Sequence, residues 1–148
     1  MKRTYVGIDP GTNGGIVMIT ETTIRLYRMP PTEKDVWEIL RRIPGRPTAV
    51  IEKSQAMPKQ GVSSAFKYGQ GYGFRRGCLI ARGIPFSEVT PQRWMKGLGI
   101  RPRRKTESKT QWKNFLKGIV QQKYPQEKIT LQTCDAVLIA EYCRRMVY

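Results

Sequence analysis

The stretch Thr4-Tyr5-Val6-Gly7-Ile8-Asp9-Pro10-Gly11 decides the fold of this chain. Its apolar run predicts a buried strand that ends at Asp9, and Pro10-Gly11 predicts a tight turn directly after it. Two more strand-like runs follow over 16–19 and 23–27. Because only short turns separate the three runs, we expect an antiparallel three-stranded meander.

Helices and two further strands are expected after the meander. Thr32 is placed to cap a helix that runs through about Arg42. The run 49–52 is apolar up to Glu52, which is typical of a central strand buried on both faces. The remaining expected elements are a helix over 62–82, a strand over 84–89, a short helix from Pro91, and helices over 108–124 and 131–146. This order predicts a mixed α/β sandwich, and without a linker or repeat we expect one domain over 1–148.

Gly69, Gly73 and Gly77 recur at every fourth position of the helix expected over 62–82. Each glycine costs about 1 kcal/mol of helix propensity, so we expect a packing reason for them. The simpler explanation is close packing of this helix on its own sheet. The other is packing against the same helix of a second copy in a homodimer.

The charge balance predicts a polyanionic partner. The chain has 27 Lys and Arg against 11 Asp and Glu, a net charge of +16, which favours nucleic acid over a merely solvated basic surface or a ribosome-associated role. It has no histidine. That absence excludes His-based zinc sites and Ser-His-Asp triads, and it leaves carboxylates, lysines, tyrosines and metal for chemistry.

The cysteines and the hydropathy point to the cytoplasm. Cys78, Cys134 and Cys143 are odd in number and have no CxxC spacing, so we expect small buried side chains in a reducing compartment. No apolar stretch approaches the roughly 20 residues of a membrane span, and the N-terminus has no secretory signal pattern. We therefore expect a cytoplasmic protein with no membrane partner.

Three acids, Asp9, Glu52 and Asp135, lie inside or at the end of apolar runs. Burying an ionised carboxylate is costly unless something compensates. If the first and fourth strands pair, Asp9 and Glu52 lie side by side, and Asp135 near the start of the last helix can point at them. Such a cluster would hold one or two Mg²⁺ or Mn²⁺ ions and suits phosphodiester hydrolysis. Taken singly, each acid has a structural explanation: Asp9 as a turn residue, Glu52 as an ion-pair partner and Asp135 as a helix N-terminal acid.

Together, these motifs resemble the RuvC-type Holliday junction resolvases, especially phage and prophage members. The resemblance covers nearly the whole chain and rests on Gly7-Ile8-Asp9-Pro10-Gly11, Gly14-Gly15-Ile16, Ile51-Glu52, Gln55-Ala56-Met57-Pro58, the helix at 63–77, Thr90-Pro91-Gln92-Arg93-Trp94, Ser108-Lys109, Tyr124-Pro125 and Asp135-Ala136-Val137-Leu138-Ile139-Ala140-Glu141-Tyr142. It implies an RNase H-like fold with a mixed five-stranded sheet, three antiparallel strands and then parallel ones, flanked by helices. It also implies a homodimer that nicks four-way DNA junctions with Mg²⁺ or Mn²⁺, two ions per site, in recombination, repair or phage genome processing.

The resemblance also assigns residues. It makes Asp9, Glu52 and Asp135 the catalytic metal ligands, and it places Lys109, or alternatively Lys113, at the scissile phosphate. The cations expected to contact backbone phosphates are Arg101, Arg103, Arg104, Lys105, Lys113 and Lys117.

This chain departs from the family pattern at two places. Leu131 and Gln132 stand where the family has a fourth carboxylate. Three alternatives follow for this chain: Gln132 is a neutral oxygen ligand, the second metal binds weakly, or activity is lost. Gln55 stands where some relatives have an aromatic residue that inserts into the junction. The stacking role could pass to Phe66, Tyr68 or Tyr72. The alternative is that these aromatic residues pack in the core.

Three other functions fit parts of the pattern. A non-cleaving junction-binding protein fits the missing acid, and an RNA-processing nuclease fits the same basic surface. An actin-like ATPase or kinase fragment shares the first motif, but those enzymes need a second lobe and phosphate loop that we do not find in these 148 residues.

Overall fold

A computed structural model describes residues 1–53 and 59–146 of the chain. The described residues form five strands and five helices. In chain order these are β1 (Arg3–Asp9), β2 (Gly15–Ile19), β3 (Ile24–Arg28), α1 (Glu33–Arg41), β4 (Arg46–Glu52), α2 (Val62–Arg82), β5 (Phe86–Val89), α3 (Pro91–Gly97), α4 (Lys109–Lys123) and α5 (Cys134–Met146).

The strands form one sheet in the order β3-β2-β1-β4-β5. β2 pairs antiparallel with both β1 and β3, whereas β4 pairs parallel with both β1 and β5. This confirms the expected mixed five-stranded sheet with its antiparallel meander. Ile8 lies opposite Ile51, so Asp9 and Glu52 follow at the same end of two neighbouring strands.

A core lies on each face of the sheet. Ile8 of β1 and Ile51 of β4 pack on one face with the buried residues of α1 and α2. Val17 of β2 and Val50 of β4 pack on the other face with the buried residues of α3, α4 and α5. Successive strand side chains point to opposite faces, so each central strand contributes to both cores.

Side-chain caps begin three of the helices. Thr32, Thr90 and Ser108 each accept a hydrogen bond from a backbone N–H of the first turn that follows. At Ser108 the cap is reciprocal, because the Gln111 side chain accepts from the Ser108 N–H. A capping hydroxyl satisfies a donor that the helix itself cannot, and the starts predicted at these residues are confirmed.

The last helix begins later than predicted. It starts at Cys134 rather than Leu131. Thr130 explains the difference, because its hydroxyl accepts from the Thr133 N–H at 3.2 Å and its carbonyl accepts from the Cys134 N–H at 3.0 Å. Residues 131–133 are therefore a hydrogen-bonded turn, and Asp135 is the second residue of α5.

The glycine stripe of α2 does not contact the sheet. A Cβ atom added at Gly69, Gly73 or Gly77 would meet no atom within 4 Å. The explanation by close packing on the chain's own sheet is therefore wrong, since the stripe faces away from the core.

The cysteines are confirmed as buried free thiols in the structure. No helix of the described residues is long and apolar enough to cross a membrane.

Helix α5 lies directly on the backbone of β1 at Gly7. A Cβ atom at Gly7 would be 2.2 Å from the carbonyl oxygen of Ala136 and 2.3 Å from the nitrogen of Ala140. Real Cβ atoms never come so close to backbone, so only glycine permits this contact. The close approach brings the start of α5, and Asp135 with it, to the end of β1.

We predict that Gly7→Ala lowers the free energy of unfolding by about 3 kcal/mol, because neither backbone can yield without disturbing the sheet or α5. Urea denaturation measures the change. Gly118→Ala is the matched control, since a Cβ atom there meets nothing within 4 Å on α4. The control should raise stability by about 0.5–1 kcal/mol through helix propensity. Equal effects of the two substitutions would contradict the close contact.

Candidate functional site

Asp9 ends β1 inside a turn that closes around it. The Gly14 N–H donates to the Gly11 carbonyl at 2.9 Å, and a Cβ atom on Gly14 would lie 2.8 Å from the Asp9 carboxyl carbon. The turn therefore needs glycine at position 14. Burial, with a smaller contribution from the charge of Asp135, raises the pKa of Asp9 to about 6, although Lys113 opposes the rise.

Glu52 ends β4 and is held by a tryptophan. The indole N–H of Trp94 donates to the Glu52 carboxylate at 2.8 Å, and Trp94 itself is fully buried. Burial, with a smaller contribution from the charge of Asp9, raises the pKa of Glu52 to about 7. The hydrogen bond from Trp94 acts in the opposite direction because it favours the ionised form.

Asp135 is paired with a lysine of α4. The Lys113 ammonium donates to the Asp135 carboxylate in a close ion pair. Burial alone would lower the pKa of Lys113, but the charge and hydrogen bond of Asp135 outweigh it and raise that pKa. Lys113 is thus the cation placed at the acids.

The three acids are neighbours but do not form a compact ligand set. Asp135 acts on the pKa of Asp9, and both act on the pKa of Glu52. Across residues 1–53 and 59–146, however, no three His, Cys, Asp or Glu side chains are close enough together to hold a metal ion. The two findings agree, because charges interact over longer distances than the roughly 4 Å that separates two ligands of one ion.

The donor set nevertheless fits a divalent cation. All three acids offer carboxylate oxygens, which Mg²⁺ and Mn²⁺ prefer. The raised pKa values of Asp9 and Glu52 mean that nearby donors and cations do not fully offset the burial of their ionised carboxylates. No ion pair reaches either residue in the described parts of the chain. Small side-chain movements toward a shared ion would supply that compensation.

The other predicted site residues lie outside this cluster. Lys109 is exposed at the start of α4, whereas Lys117 is half-buried one turn beyond Lys113. Gln132 is half-buried in the turn before α5, and no hydrogen bond joins its side chain to the three acids. Gln55 lies outside the described residues. The cations exposed on the loop before α4 are Arg103, Arg104 and Lys105.

Arg101 has an internal role that the sequence did not indicate. Its guanidinium makes two hydrogen bonds to the Glu107 carboxylate, at 2.7 and 3.0 Å, and lies 4.1 Å from the centre of the Phe115 ring. Glu107 also accepts from the Arg104 N–H at 2.8 Å. Arg101 is therefore a structural clasp of the loop rather than a cation free to contact phosphates.

Sequence reasoning missed two residues of the site. Trp94 belongs to a quoted motif but received no role, since nothing in the sequence pairs it with Glu52. Arg75 of α2 is 7% exposed, and its Nε donates to the sulfur of Met29 at 3.3 Å. Its charge also lowers the pKa of Asp9, and no motif marks it.

The aromatic residues of α2 have separate environments. Phe66 is 69% exposed, so core packing is not its role. Tyr68 and Tyr72 stack with ring centres 6.4 Å apart, and the Tyr72 hydroxyl donates to Glu88 at 2.9 Å.

Solved structures with the same architecture cover almost the whole chain. The RuvC structure from Thermus thermophilus aligns over 97% of this chain and 96% of its own, with a TM-score of 0.59 and 18% identity. The T. thermophilus RuvC structure in complex with a Holliday junction substrate aligns over the same shares, with a TM-score of 0.61 and 19% identity.

This chain has the RuvC fold. The RNase H-like architecture implied by the sequence motifs is thereby confirmed, and at this identity the likeness to RuvC concerns the fold alone. No family model and no curated protein matches the sequence.

We predict that Asp9→Asn stabilises the protein in chelator at pH 8 by up to about 2 kcal/mol but changes little at pH 4. The folded pKa of about 6 lies above the unfolded value of 3.8. As pH rises, the unfolded state loses this proton first, so stability falls between about pH 4 and 7, and the penalty is complete above that window. Thermal and urea unfolding at both pH values measure the difference.

Glu21→Gln, at an exposed acid of the β2–β3 turn, is the control for this pH experiment. An Asp9→Asn effect of the same size at pH 4 and pH 8 would show that burial does not destabilise the Asp9 carboxylate.

Proposed function

We propose that this protein is a metal-dependent endonuclease that nicks phosphodiester bonds of four-way and other branched DNA, in recombination, repair or phage genome processing. The observation that carries the proposal is the position of Asp9 and Glu52 at the ends of two neighbouring strands, with Asp135 and its partner Lys113 near the start of α5, in a RuvC fold. A protein of this fold has been solved with a Holliday junction substrate. Such a protein would act in the cytoplasm of a bacterial cell or a phage-infected host.

Asp9, Glu52 and Asp135 would hold Mg²⁺ or Mn²⁺, two ions per site, with Gln132 as a neutral neighbour. When bound, the ions supply an activated water and stabilise the leaving oxygen of the phosphodiester. Trp94 keeps the Glu52 carboxylate oriented and partly ionised. The Lys113 ammonium shields Asp135 from the other acids and can turn to a phosphate oxygen, with Lys109 further out on α4.

The exposed cations around the site would bind the DNA backbone. Arg103, Arg104 and Lys105 extend from the loop before α4, and Lys117 lies on the same helix as Lys113. A net charge of +16 adds long-range attraction to any polyanion. Contacts of this kind supply affinity with little sequence information, which suits recognition of branched shape.

Dimer formation through α2 is part of the proposal. The exposed apolar residues Val62, Phe66 and Ile80 lie in line with the open glycine stripe, at helical spacings of three and four. Glycines without neighbours let a second helix approach closely. Two copies joined here would present two sites, which nicking of opposed strands requires.

A non-cleaving junction-binding protein is the second candidate. The observations that favour it are Leu131 and Gln132 in place of a fourth acid, and the lack of a compact metal-ligand group in the described parts of the chain. The two candidates share the DNA surface and differ only in the chemistry at the acids.

We predict Mg²⁺-dependent nicking of a synthetic four-way junction that Asp9→Asn reduces at least 100-fold, because the loss removes one ligand and its charge. Gel assays measure cleavage, and fluorescence anisotropy in chelator measures binding, which the variant should retain. Mg²⁺ should also raise the melting temperature of the wild type more than that of Asp9→Asn. Tight junction binding by a wild type that shows neither nicking nor a melting shift would favour the non-cleaving candidate.

We predict that Phe66→Asp converts a dimer to a monomer, because a charge on an apolar interface must be desolvated. Sedimentation velocity measures the mass. Lys34→Asp, at an exposed position of α1, controls for the added negative charge. A wild type that sediments as a monomer at micromolar concentration would overturn the proposed dimer.

A further inference from the structure

An apolar groove of about 670 Å³ lies between α3, the following loop and α4. Met95, Ile100 and Trp112 form apolar parts of its lining. The assigned roles of the acids and the basic loop leave this groove without a function.

The C-terminus of α3 fixes the wall of the groove. The Ile100 N–H donates to the Met95 carbonyl at 2.9 Å, and the Gly99 N–H donates to the Lys96 carbonyl at 3.0 Å. Gly99 has a φ of 71°, so these bonds form a Schellman motif with glycine in the left-handed conformation. The motif folds the backbone at Ile100 back toward Met95, and both residues line the groove.

The opposite side of the groove is fixed by the Arg101 clasp. Arg101 is held by two hydrogen bonds to Glu107 and by the faces of Phe115 and Trp112. The loop that forms this wall is therefore held by contacts within the chain itself. A preformed apolar pocket binds a flat ligand with little loss of conformational entropy.

The rim of the groove has the charge of a phosphate-binding surface. Lys96 and Arg103 are exposed on it, and neither has an ion-pair partner in the described parts of the chain. No acidic residue lines the groove. An apolar floor with unpaired cations at the edge matches a nucleotide, whose base is apolar on its faces and whose phosphate is anionic.

The groove is connected to two of the acids through α3 and α4, which carry the hydrogen-bond partners of Glu52 and Asp135. Trp94, which holds Glu52, directly precedes Met95 of the groove wall. Trp112 of the floor directly precedes Lys113, which pairs with Asp135. The helices that hold Glu52 and Asp135 in place therefore also form walls of the groove.

We propose that this groove takes an unpaired nucleotide of the branched substrate, with its base against Met95, Ile100 and Trp112 and its phosphate at Lys96 and Arg103. This inference rests on the proposed function, because it assumes that branched DNA lies across the acids. It adds a preference for substrates that expose an unpaired base near the branch point.

The test compares two four-way junctions that differ by one unpaired 2-aminopurine nucleotide at the branch point. Binding is measured by anisotropy in chelator at fixed salt, and base stacking by 2-aminopurine fluorescence. The wild type should bind the junction with the unpaired nucleotide about tenfold more tightly and quench its fluorescence, as expected for one stacked base.

Ile100→Ala should reduce this preference to below twofold and leave binding of the fully paired junction unchanged. Ile119→Ala is the matched control, since Ile119 packs half-buried against the same core cluster outside the groove. Gln92→Trp gives a second variant, because it fills the groove from an exposed position and removes no core contact. It should abolish the preference even if Ile100→Ala folds poorly.

Equal wild-type affinity for the two junctions, or a preference that survives both groove variants, would overturn the proposal. If the groove variants change the sedimentation mass instead, the groove is a contact between copies of the chain, and the proposal also fails. A wild type that binds neither junction overturns the proposed function. In that case, binding of a single-stranded oligothymidylate tests the groove. Gln92→Trp has to weaken that binding if the groove holds a nucleotide.

Discussion

The close contact between α5 and β1 at Gly7 is the constraint on which the rest of the structure depends. Backbone meets backbone there, with Ala136 and Ala140 on the helix side. The contact brings Asp135 to the strand end where Asp9 lies, while the parallel pairing of β4 brings Glu52 beside them. A larger residue at position 7 would separate the helix from the sheet, and the acids with it.

The cluster concentrates negative charge in a protein that is otherwise strongly basic. Burial and mutual repulsion raise the pKa values of Asp9 and Glu52, while Lys113 compensates only Asp135 directly. Such an arrangement of acids lowers the stability of the folded protein, and a bound cation would offset that loss. Displaced pKa values of this kind cluster at the functional sites of proteins, which is why these acids are the candidate site of this chain.

The cations of the chain serve three different purposes. Arg101 makes contacts within the chain, where it holds the basic loop through Glu107 and two aromatic rings. Lys113 neutralises an acid of the site. Arg103, Arg104 and Lys105 remain exposed. One loop thus combines an internal clasp with exposed surface charge, and the clasp residue Arg101 also lines the apolar groove.

The sequence by itself determined the order of the elements and the fold class, and it marked the three acids as candidates, because hydrophobic periodicity, caps and misplaced carboxylates are local signals. The tertiary structure alone decided which side chains hold the acids. Trp94 lies 42 residues from Glu52, and Lys113 lies 22 residues from Asp135. It also decided that the α2 glycines face outward. Local pattern carries no information on such pairings, because they depend on how helices pack on the sheet.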